Sequence, residues 1–142
     1  MWSKSAEAHL ANACGEIARI ADGASGKAIC RVWGEEGVIS AAIFFERGAK
    51  VVFKFPSRAL TNELLLLWDE CAAVKEPWRL LTIAIEGGKF SVEVCYPDEA
   101  GEMHAALDPA QNVKEHFGAD QWDDADPEID EPREKKRSWW RR

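Results

Sequence analysis

Three histidines, four cysteines and a handful of serines are the residues of this chain best suited to chemistry, and their spacing argues against most of it. Cys14, Cys30, Cys71 and Cys95 lie 16, 41 and 24 residues apart, so no CxxC pair is present to seed a zinc or thioredoxin-like site. Each falls in an apolar stretch, as small buried hydrophobes do in a reducing compartment. His104 stands near Asp98, Glu99 and Glu102, the residue types of a carboxylate–imidazole metal site. That segment reads as a solvent loop, where such residues gather without a metal. His9 and His116 fall on expected helices. Among the serines, Ser57 reads as a helix cap, Ser40 and Ser91 fall inside strands, and none occupies a nucleophile elbow. Gly23-Ala24-Ser25-Gly26-Lys27 follows a helix and precedes a strand, the reverse of a phosphate loop. The expectation is a protein that is not an enzyme and uses no cofactor or metal.

The charge pattern is more informative. Twenty-five acidic and 18 basic side chains leave a net charge of −7. Residues 120–131 hold seven carboxylates and no base, whereas residues 132–142 hold six bases and one acid. A calcium loop starting at Asp124 would need Gly at Ile129 and Glu at Lys135, so the acidic run is not an EF-hand. An acidic body repels the phosphate backbone, which disfavours nucleic acid as a partner. A basic protein partner is favoured, because opposite potentials steer encounter. Asp120, Trp122, Asp123, Asp124, Asp126 and Glu128 are the candidate partner-binding residues. Trp122 either anchors this segment to the core or serves as an interface hot spot.

These residues must be carried by a folded body, and 142 residues suffice for one domain. Leu10, Ala13, Cys14, Ile17, Ile20 and Ala21 share one face of a helix between Ala6 and Ala21. Three short strands follow, Ala28–Trp33, Val38–Phe45 and Lys50–Phe55. A second helix runs from Arg58 to Val74, with Leu60, Leu64, Leu67, Trp68 and Cys71 inward. Between Arg79 and Tyr96, a Gly87-Gly88 turn places Ile85 opposite Phe90, Ile83 opposite Val92 and Leu81 opposite Val94. Asp108, Pro109 and Gln111 open a last helix ending at Phe117. The expected fold is a single α+β domain of order αβββαββα. Its antiparallel sheet of about five strands carries helices on one face. Residues 1–118 form that domain, and residues 119–142 an acidic loop and a frayed basic tail.

No apolar run reaches the ~18 residues a membrane span requires, and the start lacks a secretion signal, so a cytoplasmic location away from membranes is expected. Trp139-Trp140-Arg141-Arg142 mixes aromatic and basic character but is too short to define a membrane or nucleic-acid site.

The stretch Leu64–Asp98 resembles the bacterial YezG-like immunity family. The matching parts are a Leu- and Trp-rich helix carrying Leu67-Trp68, the step Glu76-Pro77-Trp78, and strands Leu80–Glu86 and Val92–Tyr96 flanking Gly87-Gly88-Lys89-Phe90. After Asp98 the chain departs from the family's Tyr-rich ending. The resemblance implies a small cytoplasmic immunity protein that neutralises a cognate secreted toxin domain, frequently a nuclease, by occluding its active site. An adaptor or chaperone for a secreted effector is the alternative that composition also allows.

Overall fold

The structure, a computed structural model, describes residues 2–124. Asp126, Glu128 and the expected basic tail lie outside the described residues. The chain runs α1 (Lys4–Ile20), β1 (Ala28–Glu35), β2 (Val38–Arg47), β3 (Lys50–Lys54), α2 (Arg58–Ala73), β4 (Leu80–Glu86), β5 (Lys89–Cys95), α3 (Met103–Ala106), α4 (Pro109–Phe117) and β6 (Asp123–Asp124). It is a single α+β domain.

Local chemistry fixes the helix starts. Ser3 and Ser57 each accept a backbone N–H three residues on, from Ala6 and Leu60, both at 3.1 Å. α1 and α2 then pack side by side, joined at the surface by His9 Nδ1 and Glu63 Oε1 at 2.9 Å. Arg19 and Ser57 both donate to Glu16, and the Arg19 bond holds that carboxyl below its ordinary range. The inward faces carry Leu10, Ala13 and Ile17 from α1 and Leu60, Leu64 and Leu67 from α2.

The strands order β5-β4-β1-β2-β3-β6. Gly87 and Gly88 both have positive φ, 62° and 79°, the type I′ geometry that suits the right-handed twist of a hairpin. The β4–β5 register follows, with Leu81↔Val94, Ile83↔Val92 and Ile85↔Phe90.

Three features differ from expectation. A one-turn helix, α3, stands where a solvent loop around His104 is expected. The sheet has six strands and is mixed, because Asp123 and Asp124 run parallel to Val52 and Phe53 at the β3 edge. The helices also occupy both faces. Cys30, Val32, Ile43, Phe45, Val52, Leu81 and Ile83 meet α1 and α2 on the first face. Neighbours of opposite pleat parity, Ala42, Phe44 and Val51, meet Val113 of α4 on the second. The physical reason is the uninterrupted apolar run Ala41–Phe45: a strand apolar at successive positions needs cover on both sides.

Gly34 in β1 is where two indoles close on the sheet. An added Cβ there would stand 2.5 Å from Trp68 Cδ1 and 2.9 Å from Trp78 Cζ3. Trp68 Nε1 donates to the Trp78 backbone carbonyl at 2.8 Å, fixing the Trp68 ring. The thiols of Cys14, Cys30 and Cys71 are buried in three different elements, while Cys95 is half-buried. Burial pushes the Cys30 thiol up to about 12.

Candidate functional site

The second face is where the chain places its unusual polar groups. α4 lies across it from a well-defined start: the Asp108 carboxylate accepts the Gln111 N–H at 2.9 Å, with Pro109 at the first helical position. Gly118, at φ 65°, lets the chain turn out of the helix. Buried Asn112 ties α4 to the preceding turn, donating through Nδ2 to the carbonyls of Ala106 and Asp108 at 2.9 and 2.8 Å.

Arg31 rises from the middle of this face, between Ala42 on β2 and Thr82 on β4. Its Nη1 lies 2.9 Å from His116 Nε2. A guanidinium only donates, so the bond requires a neutral imidazole with its lone pair on Nε2 and its proton on Nδ1. Burial pushes the His116 pKa below its ordinary 6.5, and the Arg31 charge pushes it the same way. Arg31 Nε and Asn112 Oδ1 are buried without a hydrogen-bond partner among the described residues. Both residues line a cavity of about 180 Å³ that Leu80, Ala106 and Glu115 help to enclose. Among the described residues, its polar lining is Arg31, Gln111, Asn112 and the carboxylates of Glu102 and Glu115. Sequence reasoning missed this pair, because 85 positions separate its members.

The candidate partner-binding residues collect where the second face meets the β3 edge. Trp122 is half-buried and packs, with Phe117 and Ala119, against the cluster of Ala42, Phe44, Val51 and Val113. Its Nε1 donates to Asp124 Oδ1 at 3.1 Å. The ring therefore ties the chain at residues 122–124 to the core. Asp120, Asp123 and Asp124 are exposed. Asp123 reaches Lys50 at 3.3 Å, between side chains that are largely solvated, so this ion pair adds little stability.

Beside this edge lies an apolar groove of about 530 Å³, lined by Ile39, Ala42, Phe53, Phe55, Leu107 and Pro109. Phe55 is 64% exposed, with its ring centroid 5.0 Å from that of Phe53. Phe53 in turn is the register partner of Asp124. Carboxylates and exposed aromatic surface thus share one corner of the domain. The signal available in the sequence was Phe53 and Phe55 at strand spacing immediately before Pro56.

His104 is exposed, 3.6 Å from Glu102. Among the described residues, no three His, Cys, Asp or Glu side chains gather as a metal site would need. Among the same residues, no helix is long and apolar enough to cross a membrane.

Fold and site together define a single-domain α+β protein whose most distinctive surface is an acidic edge bordering an apolar groove. The chain matches no protein-family model and no curated protein at a significant level.

Proposed function

We propose that this chain is an immunity-type inhibitor that occludes a basic toxin domain, with the acidic β3–β6 corner as its binding surface. The observation that carries the reading is the fixing of Asp120, Asp123 and Asp124 on a folded edge, through Trp122 and the β6 pairing, next to exposed Phe55. Carboxylates held in place complement a cationic cleft without the ordering cost of a floppy acidic tail. A neighbouring aromatic supplies the desolvated anchor that charge alone does not provide. A nuclease cleft, built to receive phosphate, is a target of the right charge. The resemblance of Leu64–Asp98 to the YezG-like immunity family supports the same reading.

The test is binding to a basic nuclease-type toxin domain, a toxin-type domain found encoded beside this chain being the first choice. Neutralising Asp120, Asp123, Asp124 and Asp126 to Asn together is expected to slow association and flatten its salt dependence, with the fold intact. Trp122→Ala is expected to loosen the whole corner, slowing association and speeding dissociation together. A four-fold Asn variant that binds and protects cells as well as the parent would remove the acidic edge from the inhibitory face. A partner that binds but is harmless when expressed alone would favour an adaptor for a secreted effector.

A further inference from the structure

Among the described residues, nothing pairs with the edge of the sheet opposite β6. β5 pairs with β4 alone among the described residues, one-to-one over seven positions, with no bulge and no proline. In a two-residue hairpin the closing pair, Glu86 and Lys89, exchanges both backbone bonds, and this alternates along the ladder. Lys89, Ser91, Glu93 and Cys95 therefore bond inward to β4. The Arg79 N–H donating to the Cys95 carbonyl at 2.9 Å agrees with this parity. Phe90, Val92 and Val94 present their N–H and C=O groups outward. Such an edge is a template for another strand unless charge, proline or a bulge blocks it.

We propose that a second copy of this chain adds its own β5 to this edge, antiparallel, about a two-fold axis through Ser91. That register sets Phe90 opposite the partner's Val92, both with outward backbone groups, and repeats the pair by symmetry. It also sets Lys89 opposite the partner's Glu93, twice. Other symmetric registers lose this match. Sliding one way centres the axis on Phe90 and leaves Lys89 facing serine; a further step opposes Lys89 to itself. Sliding the other way centres it on Val92 and faces Glu93 with serine; a further step opposes Glu93 to itself. Only the Ser91-centred register gives each charge its opposite, which makes β5 self-complementary as an isologous interface requires. Phe90, 53% exposed in one copy, gains cross-strand cover in the pair. The edge lies five strand spacings, roughly 24 Å, from β6, so pairing leaves the acidic corner free.

The test is sedimentation equilibrium of the full chain over a concentration series. A concentration-dependent dimer is expected. Lys89→Glu and Glu93→Lys should each weaken it roughly tenfold by opposing like charges, and the double exchange should restore it. Circular dichroism checks that each variant keeps its fold; both side chains are exposed. Phe90→Pro removes one outward donor while sparing the β4 ladder, and should also abolish pairing. A chain that stays monomeric throughout its soluble range would overturn the proposal. So would a dimer indifferent to both charge reversals.

Discussion

Replacing Gly34 with alanine is expected to destabilise this protein although the change adds one methyl to a β-strand. In an ordinary strand the gain in conformational restriction favours alanine by about 0.5–1 kcal/mol. Here the new Cβ would stand 2.5 Å from Trp68 Cδ1, 2.9 Å from Trp78 Cζ3 and 3.0 Å from Trp68 Nε1. Trp78 is only 1% exposed and cannot swing away, and Trp68 is tied to the Trp78 carbonyl at 2.8 Å. Relief therefore requires shifting packed rings, about 1–3 kcal/mol, and surrendering that hydrogen bond, about 0.5–1.5 kcal/mol. Less the alanine gain, the net cost is about 0.5–4 kcal/mol. Urea denaturation followed by far-UV circular dichroism reads this as a lower midpoint at unchanged slope. Gly15→Ala is the control: it sits mid-helix with nothing within 4 Å of the added Cβ, and should stabilise by roughly 0.5–1 kcal/mol. A Gly34→Ala protein as stable as its parent would mean that the two indoles do not close on β1.

Ile83, fully buried between β1 and β5, should cost about 2–5 kcal/mol when cut to alanine, measured by the same denaturation. A loss below about 0.5 kcal/mol would belong to a surface position and contradict the hairpin register. The depressed pKa of His116 sets a pH dependence with a definite sign. The unfolded chain takes up the imidazole proton near pH 6.5 while the folded chain resists it. Stability is thus whole above that pH and falls as the pH drops below it toward the lowered folded value. Burial and the Arg31 and Lys27 charges act in this direction, against Glu115 and Glu93. His116→Gln, which keeps an acceptor for Arg31 but cannot titrate, should flatten the stability profile below about pH 6.5. An unchanged profile would show that another group governs that window.

What the sequence discloses depends on whether the signal is local. The Gly87-Gly88 hairpin could be read to the residue, since a two-residue turn and alternating apolar side chains leave one register. The inward faces of α1 and α2 followed from helical spacing, with Trp68 only partly covered. β6 was illegible: Asp123-Asp124 has no strand preference of its own and is held by Trp122 and by the β3 edge. The cover on the second face was legible in principle from Ala41–Phe45, but periodicity alone does not tell so short an apolar run from a buried helix segment. Arg31 and His116 meet only through the path of α4, and nothing near either residue announces the other.

The four cysteines give the molecule a built-in chronometer of its own opening. Burial holds the Cys30 thiol in its protonated form, and none of it faces solvent. Cys14 and Cys71, also pushed up by burial, sit in the two helices packed above it. An alkylating reagent can therefore mark these three sulfurs only while their surroundings part. Cys95 marks the partly accessible rim of the sheet. The order in which the thiols are consumed separates loosening of one helix from escape of the central strand, with no dye, tag or substitution introduced.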